Sequence, residues 1–180
     1  MDATSNANAI SDTARVGMAA GLAFFGSRDF LLAWELLEQH RRTPAVRAAR
    51  APWPRQSAFT CAAFSLELAL KARLILDGRQ PEKEHRYSEL FRALSPAAAA
   101  DVAARVQIDG RLATTVDTLL ELLTECDRTF EQFRYLHERL ARLETTTFYG
   151  DRIVPVTLAV HAAIVALRPD FASWPGVISA

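Results

Sequence analysis

"AFSLELALKARLILDG" (residues 63–78) decides the fold of this chain. Its apolar residues are too dense for a surface helix, yet Glu67 and Lys71 stand one helical turn apart inside it. On a helical wheel Phe59, Ala63, Leu66, Leu70 and Leu74 make one apolar stripe, and Leu68 and Ile75 cover another side. Thr60, Phe64, Glu67 and Lys71 share what remains. A helix over residues 55–77 is therefore expected at the centre of the molecule, almost surrounded, with one narrow polar seam. Asp77-Gly78 closes it, because glycine suits the left-handed residue that follows a helix.

A carboxylate in such a helix is costly unless it is paired. Glu67→Lys71 has the favourable i, i+4 order, but on an exposed helix that order contributes only about 0.2–0.5 kcal/mol. A further partner from another helix is expected, and "FEQFRYLHE" (residues 130–138) offers one. Arg134 and Glu138 there lie one turn apart with opposite signs. Arg134 facing Glu67, and Glu138 facing Lys71, would close a four-residue network.

The remainder reads as helices and connectors. Residues 1–10 are small and polar and are expected to be disordered; residues 11–180 form a single helical domain. A first helix is expected to end at Phe25, with Gly26 stopping it and Ser27 capping a second that runs to Arg42. "RRTPAVRAARAPWPR" (residues 41–55) has three prolines and five arginines and no acid, and reads as a connector. A short helix within "RYSELFRAL" (residues 86–94) precedes one that Ser95 caps and Pro96 begins. Asp109-Gly110 is a turn, and residues 111–143 are helical in pattern, as one helix or as two with a break near Glu125–Asp127. "TTTFYGDR" (residues 145–152) breaks that pattern. The last helix is "IVPVTLAVHAAIVAL" (residues 153–167), with Pro155 in its first turn. The fold class is all-α, a single-domain bundle of about six to seven helices.

Twenty-one basic residues balance twenty-one acidic ones, so no global field favours nucleic acid or a lipid surface. Two cysteines without a CxxC pair exclude a disulfide framework or zinc site. "EKEH" has the spacing of a di-iron ligand pair, but a di-iron site needs a second such pair and two further glutamates, so no metal and no cofactor is expected. No stretch reaches the ~18 uninterrupted apolar residues of a membrane span, and no basic segment precedes "VGMAAGLAFFG". A cytoplasmic, bacterial protein is expected, the latter from abundant Ala and a preference for Arg over Lys.

The chain resembles the HEPN superfamily of bacterial helical domains. The residues that carry this are "AFSLELALKARLILDG", the His85 that follows it, "SELFRAL" (residues 88–94) and "FEQFRYLHE", covering roughly residues 25–142. The resemblance implies a bundle of four or five helices, often homodimeric, tied to RNA cleavage or nucleotide binding in defence and toxin–antitoxin systems. It points to Arg134 and His137 as catalytic residues of a metal-independent ribonuclease. In the ribonuclease members four to six residues separate that pair; here two do. The expectation is therefore RNA or nucleotide binding rather than efficient cleavage. Arg79 and His85 have five residues between them, but in a proline-containing loop.

Chemically, histidine can take the proton from a ribose 2′-OH while arginine stabilises the phosphorane. Glu67, Lys71, Glu138 and His85 form the charged seam that would line such a site. Arg41, Arg42, Arg47, Arg50 and Arg55, with Trp53, are candidate nucleic-acid contacts in the connector. His40, near a helix C-terminus, and His161, in an apolar helix, are expected to be structural. The competing reading is a non-catalytic, partner-binding helical domain whose seam only stabilises the bundle. A homodimer is expected, since the resemblance implies pairing and the chain has spare apolar helices outside the recognised bundle, notably residues 153–167.

Overall fold

The computed structural model describes residues 12–48, 55–81, 83–108, 111–112, 115–127 and 150–173. Those residues form seven α-helices: α1 (Asp12–Arg42), α2 (Pro44–Ala48), α3 (Arg55–Leu76), α4 (Tyr87–Arg92), α5 (Pro96–Arg105), α6 (Val116–Cys126) and α7 (Gly150–Leu167). A two-residue antiparallel ladder pairs β1 (Gln107–Ile108) with β2 (Arg111–Leu112), and a 3-10 turn spans Pro169–Ser173. The domain is all-α, as the helical periodicity requires.

Helix α3 is the axis of the bundle. It packs along α1 on one side, on α7 on another and also on α4. Leu66, Leu70 and Leu74 are buried, as are the alanines Ala62, Ala63, Ala69 and Ala72 that let neighbouring helices approach. Helix α7 also packs on α5, and α6 packs on α4. Ile153, Val156, Val160 and Ile164 place α7 inside the core. Its apolar character is thus spent within the chain, and its outer face keeps only Leu158 and Leu167 among large exposed apolar residues.

The helix ends follow local chemistry. Gly78 has φ +74° and closes α3. Ser95 accepts from Ala98 N at 3.3 Å, with Pro96 as first helical residue of α5. Thr115 caps α6 by accepting from Thr118 N at 3.1 Å. Asp77 joins the end of α3 to α5 by accepting from Ser95 N at 2.6 Å and Ser95 Oγ at 2.9 Å. Burial alone would raise the Asp77 pKa, but the Ser95 hydrogen bonds and the charges of Arg73 and Arg79 hold it below the usual range.

Three boundaries differ from the sequence pattern. First, α1 runs unbroken through Gly26 and Ser27. Gly26 serves a close crossing: a Cβ there would meet Leu68 Cδ1 of α3 at 3.2 Å. Second, Arg111–Leu112 belong to the ladder rather than to a helix. A two-residue Asp-Gly connection is a hairpin signal, and the Leu112 and Val116 spacing did not reveal which period applies. Third, α7 starts at Gly150, so Pro155 lies in its second turn. Helix α6 ends at Cys126, inside the expected break, and residues 128–149 lie outside the described residues. The arginine-rich connector contains α2, with Pro44 as its first residue.

Candidate functional site

Among the described residues, the seam of α3 is occupied by Lys71 and His85; the expected Glu67–Arg134 pairing falls on a residue outside them. Glu67 is 7% exposed as a side chain, and its Oε1 receives two donors. Lys71 Nζ lies 2.7 Å away and His85 Nδ1 3.0 Å away. With Glu67 Oε1 as the acceptor of both contacts, His85 Nδ1 carries the ring proton in this arrangement. The imidazole is 65% exposed, and its Nε2 has no protein hydrogen bond among the described residues. The Lys71 side chain is 18% exposed, so it snorkels from the seam toward the same surface.

The loop that delivers His85 is fixed at both ends. Glu84 Oε1 accepts from the backbone N–H of His85 at 2.9 Å and of Arg86 at 2.8 Å, and the Arg86 guanidinium grips the same carboxylate. The Arg86 side chain, then the backbone donors, hold the Glu84 pKa down at about 2. Immediately after it, Tyr87 is fully buried and donates its hydroxyl to Ala63 O of α3 at 3.3 Å. Burial, then the Glu67 charge, keeps that phenol well above its usual pKa. Ser88 donates its N–H to Asp127 Oδ1 at 2.9 Å and its hydroxyl to Asp127 Oδ2, tying α4 to the end of α6. His85 is thus an exposed imidazole on a pinned loop, oriented by a buried carboxylate beside an ammonium. Such a group can accept a proton at Nε2, next to the Lys71 ammonium.

Of the remaining sequence-predicted residues, Arg134, His137 and Glu138 lie outside the described residues, as do Arg50 and Trp53. Arg41 and Arg42 end α1; Arg41 is paired with Glu38 at 2.9 Å. Arg47 lies in α2 and Arg55 begins α3. Among the described residues no group of three His, Cys, Asp or Glu could hold a metal ion. Cys61 is partly buried and Cys126 buried, and they are not bonded to each other.

Two features escaped the sequence reading. An open groove of ≈ 600 Å³ separates the start of α1 from the turn after α3, with Arg15 and Arg79 among its walls. Helical periodicity does not signal a groove between segments about sixty residues apart. The other is a buried polar cluster of Ser27, Ser65 and His161 joining α1, α3 and α7. Its signal was one polar residue in each of three apolar helices, but nothing in the sequence aligns those three.

No family model, curated protein or solved structure matches this chain.

Proposed function

We propose that this chain is a HEPN-like bacterial helical protein that associates with RNA or a nucleotide, within a defence or toxin–antitoxin system. The observation that supports this reading is the Glu67–His85 hydrogen bond, with Lys71 on the same carboxylate. A carboxylate-oriented imidazole beside an ammonium offers a phosphate the remaining N–H donors of Lys71 and a proton-accepting Nε2 at one surface point. The arginines at the ends of α1 and α3 would extend the contact along a backbone, a salt-sensitive mode of binding.

Fluorescence anisotropy with labelled single-stranded RNA, and with a labelled nucleotide, tests the reading. Lys71→Met and His85→Ala are each expected to weaken binding, and binding is expected to fall with added salt. Absence of binding by the parent chain, or binding unchanged in both variants, would overturn it. Cleavage of total RNA is measured beside an Arg134→Ala, His137→Ala double variant. The expected result is no efficient metal-independent cleavage by either.

A second reading rests on the burial of Glu67, whose carboxylate has both donors from its own chain. The seam then only stabilises the bundle, and the domain binds a partner protein elsewhere. Under this reading Lys71→Met changes stability and no ligand binding is found.

A further inference from the structure

The groove between the start of α1 and the turn after α3 measures about 600 Å³, a size that suits a small organic molecule. Among the described residues its apolar lining is aliphatic: Val16 and Ala19 of α1, Ile75 of α3 and Pro81 of the loop that follows. Arg15 lines it from α1 and Arg79 from the turn. Gly78 adds bare backbone to the lining, and a Cβ there would meet no atom within 4 Å.

The charge of Arg79 is only loosely answered. Asp77 Oδ2 lies 3.8 Å from Arg79 Nε, outside hydrogen-bond reach. Asp77 accepts instead from Ser95 N and Ser95 Oγ. The same carboxylate also faces Arg73 Nη1, at 3.7 Å. Arg73 is 6% exposed, and its Nε has no hydrogen-bond partner. One carboxylate thus stands against two guanidiniums at the end of α3 and hydrogen-bonds neither. The Arg79 side chain is 51% exposed, so its donors can turn to a ligand.

We infer that this groove binds a small aliphatic anion, a carboxylate or a phosphate monoester with a short alkyl body. A guanidinium meets either head group with two parallel N–H donors. The alkyl body leaves water against Val16, Ala19, Ile75 and Pro81. No aromatic ring among the described lining residues offers a nucleobase a stacking platform, so a nucleotide is the poorer fit. Helix α1 brings its positive end to the groove and α3 its negative end, so the arginines rather than a helix dipole set the sign. Ile75 lies about 12 Å along α3 from Glu67, which separates this site from the seam. The inference is therefore independent of the RNA reading.

Octanoate and octyl phosphate, titrated into the full chain and followed by backbone amide NMR shifts, test it. The full chain keeps residues 1–11 and Glu82, which lie outside the described residues, in competition for the groove. Saturable shifts are expected at the amides of Val16, Ala19, Gly78 and Arg79, with a dissociation constant on the order of a millimolar. Octanol and octylammonium, which keep the body and lose the negative head, should bind about tenfold more weakly or worse. Arg79→Gln should weaken octanoate about tenfold. Ala19→Leu should weaken it as much by filling the groove, at a helix position where leucine is nearly as good as alanine. Both positions are exposed, so both variants should melt like the parent. The absence of saturable shifts at these amides, at up to about ten times the expected constant, would overturn the inference. So would equal binding of octylammonium, or octanoate binding unchanged in Arg79→Gln. Tighter binding of AMP than of octyl phosphate at the same amides would make the groove a nucleotide site and overturn it equally.

Discussion

Ser27 and His161 are joined by a 2.6 Å contact between Oγ and Nε2, where α1 meets α7. The protons can be placed. Ser27 Oγ donates to Ser65 O at 2.6 Å, and Ser65 Oγ donates back to Ser27 O at 2.8 Å. With its one proton committed, Ser27 Oγ accepts, and His161 Nε2 is the donor. The side chain of Ser27 therefore serves three helices at once. Ser27→Ala would leave the His161 N–H and the Ser65 carbonyl without this partner. It is expected to cost about 1–3 kcal/mol in urea unfolding. A loss below a few tenths would mean the cluster is not a stabilising contact.

Protonation of His161 opposes folding. Burial first, and then the charge of Arg28, lowers its pKa from 6.5 to about 4. The unfolded chain binds this proton more readily than the folded one, so stability falls as pH drops from 6.5 toward 4 and levels off below. The full change is about 3 kcal/mol, an order-of-magnitude figure from 1.36 kcal/mol per unit. Thermal unfolding between pH 7 and pH 4.5 should show this slope, and His161→Gln should flatten it. An equal slope in the variant would assign the effect to carboxylates instead. Glu84, held at about 2, contributes in the same direction only at lower pH.

The centre of this fold was legible because α3 carries its own evidence. Its apolar stripes, its Asp77-Gly78 stop and the Ser95-Pro96 start of α5 are local patterns, and the structure keeps all three. That Glu67 would be paired was also legible, from the cost of a buried carboxylate. Its partnership with Lys71 followed from the spacing. His85 was expected on the seam, but a loop has no helical period, so the sequence did not say that it would reach Glu67. What the sequence could not convey depends on contacts between helices. Gly26 and Ser27 have the composition of a stop and a cap, yet they are one crossing point. The same two residue types serve either role, and Leu68 and His161 decide between them from outside the segment.

The two roles of glycine can be separated by substitution. Gly26→Ala in a continuous helix gains about 1 kcal/mol of helix propensity. Its Cβ would press on Leu68 Cδ1 at 3.2 Å, the tip of a flexible, partly exposed side chain that can turn aside. The net expectation is unchanged or slightly raised thermal stability. Gly78→Ala meets no atom within 4 Å, but φ +74° strains any other residue. It is expected to lose about 1 kcal/mol. If Gly26→Ala were the more damaging of the two, the crossing would be tighter than the Leu68 contact indicates.

Around Glu67 the donors differ in exposure, and that ranks their variants. Lys71 lies mostly inside the seam at 2.7 Å, whereas the His85 ring is largely in solvent. Lys71→Met would leave a carboxylate that is 7% exposed with only the His85 donor among the described residues, and is expected to cost about 1–3 kcal/mol. His85→Ala removes an exposed contact and should cost less than about 1 kcal/mol. Glu67→Gln keeps the shape of the side chain and an acceptor, so its cost should fall between the two. Urea midpoints of the three variants check the order. The same proteins carried into the RNA titration separate structure from chemistry. His85→Ala that folds like the parent but binds less would place the imidazole in recognition. His85→Ala as unstable as Lys71→Met, with binding unchanged, would make the whole triad a packing device.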